Sequence, residues 1–119
     1  MSFERTDRIA EELRREASDI IRNELKDPRL GDMVSLVACE VARDLSTAKL
    51  KVSVYAEPEK REAAMQALSS ADGFIRRELS KRLTIRRVPE LRFELDTSIE
   101  YSVHIAELLR EIKAGEDHR

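Results

Sequence analysis

Between residues 48 and 55 the side chains alternate without a fault. Ala48, Leu50, Val52 and Val54 are apolar, and Lys49, Lys51, Ser53 and Tyr55 fall between them. A β-strand puts residues i and i+2 on one side, so this segment reads as a strand with one dry and one wet face. The dry face needs a covering layer, and the neighbouring segments supply helices. Ile9, Leu13, Ala17, Ile20 and Ile21 recur at three- and four-residue steps and make one apolar stripe. Glu4 precedes Arg8, and Glu11 precedes Arg15, by four residues, which suits pairing along that helix. The helix is expected to end near Lys26, because Pro28 disfavours the helical conformation at Asp27. A turn then runs from Asp27 to Gly31.

The rest of the chain completes a two-layer pattern. Val34 to Ala42 is rich in Val and small residues and reads as a strand, although its alternation is imperfect. Arg43 to Thr47 is short and polar, so the two strands pair as an antiparallel hairpin. Pro58 suits the first turn of a helix whose inner face is Ala64, Leu68 and Ala71, with Met65 beside them. The helical spacing passes through Gly73 to Ile75, Leu79 and Leu83. Glycine inside a helix costs about 1 kcal/mol relative to alanine. The pattern therefore predicts a kink or tight turn at Gly73 between two shorter helices, with Asp72 as cap of the second. Val88-Pro89-Glu90 stops the helix, and Leu91, Phe93 and Leu95 alternate with Arg92 and Glu94 as a third strand. Thr97 and Glu100 have capping-box spacing and open a last helix, with Ile99, Val103, Ala106, Leu109 and Ile112 inward and a polar tail after Gly115. The order α-β-β-α-(Gly)-α-β-α predicts an α+β fold, a three-stranded sheet with helices on one face. A single domain is expected over residues 1–119, with its core at about 7–112 and a polar tail at 113–119.

Composition excludes several classes. At 119 residues the chain supports one modest core, and with 4% aromatic residues that core must be aliphatic. No apolar run approaches the roughly 20 residues that span a bilayer. The charged segment from Met1 to Arg8 has no apolar signal-peptide core behind it. Cys39 is the only cysteine, so no intramolecular disulfide is possible, and a cytoplasmic protein without a membrane partner is expected. Reactive groups do not converge. His104 falls in the last helix and His118 in the tail, and Cys39 reads as a small core residue of a strand. No spacing of His, Cys and carboxylates suits a metal, and Gly31, Gly73 and Gly115 form no phosphate loop. A non-enzymatic protein with neither cofactor nor metal is expected.

Charge is strongly segregated. From Phe74 to Arg92, seven basic residues oppose only Glu78 and Glu90, a local charge of +5 in a chain of net −2, which leaves −7 for the rest. A basic patch on an acidic protein points to a polyanionic partner met by one face. Arg76, Arg77, Lys81, Arg82, Arg86 and Arg87 are the candidate phosphate contacts, and Lys49 and Lys51 extend the surface if their strand face is open. Arg77 and Lys81 lie opposite Ile75, Leu79 and Leu83, whereas Arg76 and Arg82 flank that stripe and would cover it with their stems. Tyr55 and Phe74 are the only aromatic residues expected near the patch, so phosphate and shape recognition fits better than base stacking. The competing reading is a protein-interaction module whose basic helix docks an acidic partner. A steep salt dependence of RNA binding separates the two.

Four segments together resemble one family. They are Lys26-Asp27-Pro28-Arg29-Leu30-Gly31, Arg43-Asp44-Leu45 with Ala48-Lys49, Ala71-Asp72-Gly73-Phe74-Ile75-Arg76, and Val88-Pro89-Glu90-Leu91-Arg92-Phe93. In this order and spacing, over roughly Asp7 to Leu109, the chain resembles ribosome-binding factor A, a bacterial small-subunit assembly factor. The resemblance implies a KH-like domain of the second type, with the helix kink at Ala71, Asp72 and Gly73 in place of the Gly-x-x-Gly clamp of ordinary KH domains. It further implies binding to the immature small (30S) ribosomal subunit and its 16S rRNA. Late maturation, 5′-end processing and cold adaptation would follow, carried out by a free monomer without covalent chemistry.

Overall fold

The structure is a computed structural model and describes residues 2–30, 34–97 and Arg110. Its elements run α1 (Ser2–Asn23), β1 (Val34–Val41), β2 (Thr47–Val54), α2 (Pro58–Ser70), α3 (Asp72–Arg82) and β3 (Glu90–Leu95). The strands form one sheet in the order β1-β2-β3, with β1 antiparallel and β3 parallel to the central strand. The parallel pair follows from the two helices between β2 and β3, since such a connection needs a crossover. α1 packs on β1 and α3, and α2 packs on β3 and α3, so the expected α+β architecture is present. The expected C-terminal helix and tail fall on residues outside the described ones, apart from the helical Arg110.

The periodic residues build the core. Leu13, Ala17 and Ile20 of α1, Ala48, Leu50 and Val52 of β2, Ala64 and Leu68 of α2, and Ile75 and Leu79 of α3 are all fully buried. Leu50 lies at the centre of the middle strand, where truncation to alanine would cost roughly 2–5 kcal/mol. Leu91 is buried, and Phe93 and Leu95 pack against the same core, as the alternation in β3 predicts.

The imperfect alternation of β1 has a structural cause. Leu36 pairs with Val52 but Ala38 pairs with Lys51, which leaves Val37 as the extra residue of a β-bulge. The bulge shifts the parity of the strand. Before it Val34 and Leu36 share the core side of β2, and after it Cys39 and Val41 do. Val37 is left on the surface. In the hairpin turn, Leu45 adopts a φ of 61°, a left-handed conformation unusual for leucine. Its N–H donates to the Ala42 carbonyl at 2.8 Å, and Asp44 Oδ1 accepts from the Ser46 hydroxyl at 2.7 Å and amide at 3.1 Å.

Two expected boundaries move. α1 stops at Asn23 rather than near Lys26, because Glu24 and Leu25 both donate to the Ile20 carbonyl (2.9 and 3.1 Å) and close the last turn. Asp27 then holds the following turn, accepting from the Arg29 amide at 2.9 Å and from its guanidinium at 2.7 Å. These bonds pull the Asp27 carboxyl down to about 2. The second boundary is the break between α2 and α3. It lies at Ala71 (φ −89°, ψ 2°), not at Gly73. The Ala71 amide donates to the Ala67 and Leu68 carbonyls at 3.0 and 3.2 Å, closing α2, and the Ala71 carbonyl accepts from Ile75 at 2.9 Å, opening α3. Asp72 is therefore the first residue of α3, and it makes no side-chain capping bond.

Candidate nucleic-acid interface

α3 and the loop after it carry the basic segment. Ile75 and Leu79 fix the helix on the core, which turns Arg77 and Lys81 outward to full exposure. Arg77 makes no ion pair among the described residues. Lys81 donates to Glu78 at 2.8 Å, and this bond holds the Glu78 carboxyl below its ordinary range. The helix ends at Arg82, so Arg86 and Arg87 lie in the loop rather than on a helix. Both are exposed and, among the described residues, unpaired. Half-buried Ile85 on one side and buried Val88 and Pro89 on the other tie the loop down at its ends.

Two candidates on α3 are partly withdrawn from solvent. Arg82 was expected to contact phosphate, but its guanidinium donates to Asp19 at 2.6 Å, Glu16 at 3.0 Å and Glu24 at 2.5 Å. Its side chain is only 23% exposed. The three carboxylates belong to α1 and its C-terminal turn, so Arg82 fastens α3 to α1. The pairing holds Asp19 below its ordinary value, through the Arg82 bond first and the Asn23 bond second. The signal in the sequence was the run Glu16, Asp19 and Glu24 along one helix, which needs a cation from elsewhere. Arg76 is half-buried, as expected of a residue flanking the stripe, and its Nε is enclosed without a partner. Oδ1 of Asp72, one helical turn earlier, is enclosed and unpartnered too. Phe74, one of the two aromatic residues expected near the patch, is half-buried and packs against the core.

Gly73 is exposed on the first turn of α3. Its φ is not positive, and a Cβ added there would meet nothing within 4 Å. Neither strain nor a close approach within the fold calls for glycine at this position.

The remaining candidates lie on the other side of the molecule. Lys49 and Lys51 alternate with the buried Ala48, Leu50 and Val52, so they project from the sheet face opposite the helices. Arg77 and Lys81 point outward from the helical layer, so the structure does not join the two sets into one surface. Lys49 pairs in register with Glu40 of β1 and with Arg92 of β3, and its Nζ lies 3.7 Å from Glu94. Arg92 was counted in the basic segment but not singled out. It is exposed on this face, a position that its alternation with Leu91 and Phe93 already implied. Tyr55, at the end of the same strand, is 62% exposed.

Other chemistry is sparse among the described residues. No group of His, Cys, Asp and Glu is arranged to hold a metal, and no helix is long and apolar enough to cross a membrane. Burial pushes the Cys39 thiol up to about 11, aided by Glu11 and Glu40, so it is a thiol and not a thiolate at neutral pH. His104 and His118 lie outside the described residues.

A hairpin and a parallel third strand, crossed over by two helices that break at Ala71, define a KH-like α+β domain of the second type, here with an arginine-rich third helix. Comparison with known proteins narrows this further. Residues 5–109 match the ribosome-binding factor A family, and the chain belongs to it. A ribosome-binding factor A of Clostridium kluyveri is 47% identical over 118 residues, covering 99% of this chain and 98% of that one. The solution structure of a Thermotoga maritima protein described as a ribosome-binding factor A superimposes with a TM-score of 0.70 at 32% identity, covering 81% of this chain and 91% of its own. A Thermus thermophilus ribosome-binding factor A, fitted as a homology model into a cryo-electron microscopy map of a 30S complex, gives 0.65 at 28% identity over 77% of this chain and 96% of that one.

Proposed function

We propose that this protein binds the small ribosomal subunit through its rRNA, using the free cations of α3 and of the loop that follows. The carrying observation is that Arg77, Arg86 and Arg87 are exposed and without carboxylate partners among the described residues, on an acidic chain. Unpaired arginines on an ordered helix and a tethered loop are a phosphate-binding surface, because no internal ion pair has to be broken first. The Thermus thermophilus relative, placed in a 30S complex, supports the same partner. On this reading the protein acts in the cytoplasm as a monomer that assists late maturation of the subunit, including 5′-end processing of precursor rRNA. It does so by holding an RNA conformation rather than by catalysis. Arg77, Arg86 and Arg87 contact phosphates directly, and Lys81 joins them by exchanging Glu78 for a phosphate. Arg76, one turn into α3, lies beside the break at Ala71.

The test is the double reversal Arg77→Glu with Lys81→Glu, assayed by cosedimentation with precursor subunits at several salt concentrations. Binding should fall more than tenfold, while the melting temperature drops only slightly from the loss of the exposed Lys81–Glu78 pair. The slope of log affinity against log salt should flatten by about 1.4–1.8 for two lost phosphate contacts. A double variant that binds like the parent at moderate salt would rule out α3 as the interface. Tighter binding to an acidic protein than to rRNA at the same salt would favour docking of an acidic partner through the same helix.

A further inference from the structure

A second surface lies at the β1 edge of the sheet. α1 and the start of β1 enclose a groove of about 690 Å³, a volume typical of ligand clefts. Its floor is aliphatic, made by Ile21, Leu25, Leu30, Val34 and Leu36. Its rim is basic. Arg15 and Arg22 line it, are exposed, and make no ion pair among the described residues. Glu11, which spacing assigned to Arg15, is taken by Arg14 at 2.5 Å, and Arg14 also reaches the Leu36 carbonyl at 3.4 Å. Asp19, the one acid on the lining, shares Arg82 with Glu16 and Glu24 and also feels the charge of Arg22. Three arginines thus line the groove against one carboxylate, which leaves the lining net positive over an apolar floor.

The backbone adds a third property. β1 is an outer strand of the sheet, and among the described residues no further strand pairs with its free edge. Val34, Ser35 and Leu36 thus bring peptide groups to the groove, up to the bulge at Val37. No aromatic ring lines the cleft, so bases have nothing to stack on. Aliphatic floor and strand edge both suit polypeptide, which pairs through its main chain and anchors alternate side chains. We propose that this groove docks a short extended segment of a protein partner, with apolar side chains on the floor and carboxylates facing Arg15 and Arg22. The site is independent of the RNA-binding surface and does not rest on it.

The free protein tests this directly. The isotope-labelled full-length chain is titrated by NMR with a synthetic peptide alternating leucine and aspartate, with the analogue carrying lysine for aspartate, and with a uridylate oligonucleotide. The acidic peptide should shift the amides of Arg15, Ser18, Arg22 and Val34 to Leu36 and bind at least tenfold more tightly than the lysine analogue. Arg15→Glu with Arg22→Glu should weaken the acidic peptide by roughly tenfold, with an unchanged melting temperature. Wild-type titrations decide the matter even if that variant misfolds. Acidic-peptide shifts that are absent, or that fall on α3 instead, overturn the proposal. An oligonucleotide that shifts the groove more strongly than the peptide overturns it in favour of nucleic acid.

Discussion

On the outer face of the sheet, Lys49 has Glu40 across one strand and Glu94 at 3.7 Å on another, and Lys51 pairs in register with Glu94. On α3 and its loop, Arg77, Arg86 and Arg87 have no such neighbours among the described residues. Both regions carry several cations, yet only the second carries uncompensated charge. A strand ladder brings its own counter-ions, because residues from three strands sit side by side on one face. A helix flanked by a loop brings only what its own sequence supplies, and between Gly73 and Arg87 the only acid is Glu78. Counting charge along the chain finds the second region well and overrates the first.

The largest expected effect follows from this contrast. Arg77→Glu with Arg87→Glu should abolish detectable cosedimentation with precursor subunits, because each change replaces an attraction with a repulsion. The fold should be untouched, since both residues are exposed and unpaired. Equal loss from reversals on the sheet face would erase the distinction between the regions.

Arg82 separates charge from interface inside α3 itself. Arg82→Met should lower the melting temperature by about 5 °C or more, because three carboxylates lose their common donor. Its effect on subunit binding should be smaller than that of Arg77→Glu. The stability difference should also depend on pH. Asp19 titrates below its ordinary value of 3.8 in the folded state, so its contribution is fully present above that value and is lost as pH falls through the depressed one. Melting curves of the two proteins should thus differ from neutrality down to about pH 4 and converge only as pH falls further, through the depressed value. A constant difference down to pH 2 would mean that Arg82 acts by packing alone.

Much of this was readable in the sequence because it rests on local periodicity. The period of two in β2 and the stripes of α1, α2 and α3 gave most of the core, missing the buried Ala10 and Ala67 and including the half-buried Ile9, and the four short motifs gave the family. Most of the failures share one cause, which is that they depend on partners distant in the chain. The bulge at Val37 is a matter of register between strands, visible in β1 only as a fault in alternation. The partners of Arg82 lie 58 to 66 residues away. The cleft between α1 and β1 exists only once helix and strand are packed. The break between α2 and α3 was placed two residues late because glycine was taken as its cause, whereas Ala71 turns the chain and Gly73 already belongs to α3.

Gly73 therefore needs a reason outside the free fold. Alanine would be the better helix former by up to about 1 kcal/mol, and nothing within 4 Å obstructs it. Gly73→Ala should raise the melting temperature by a few degrees, yet weaken subunit binding several-fold if RNA backbone approaches the first turn of α3 closely. A stabilised variant with unchanged affinity would remove the kink from the interface and leave Arg77, Arg86 and Arg87 to carry it.

The smallest effect is expected on the sheet. Lys49→Glu with Lys51→Glu removes as many cations as the reversal on α3, and by charge count alone it should do equal damage. Glu40 and Glu94 already offset these lysines, and the face points away from the helical layer, so less than a threefold loss of subunit binding is expected. The salt slope should stay within error of the parent, because counterions are released only where phosphates replace them. Some stability should be lost instead, since both reversals place like charges beside Glu40 and Glu94 across the ladder. A variant of normal stability and weakened binding would show that the RNA wraps the edge of the sheet and reaches both faces. The uncompensated end of α3 would then be one part of a larger footprint.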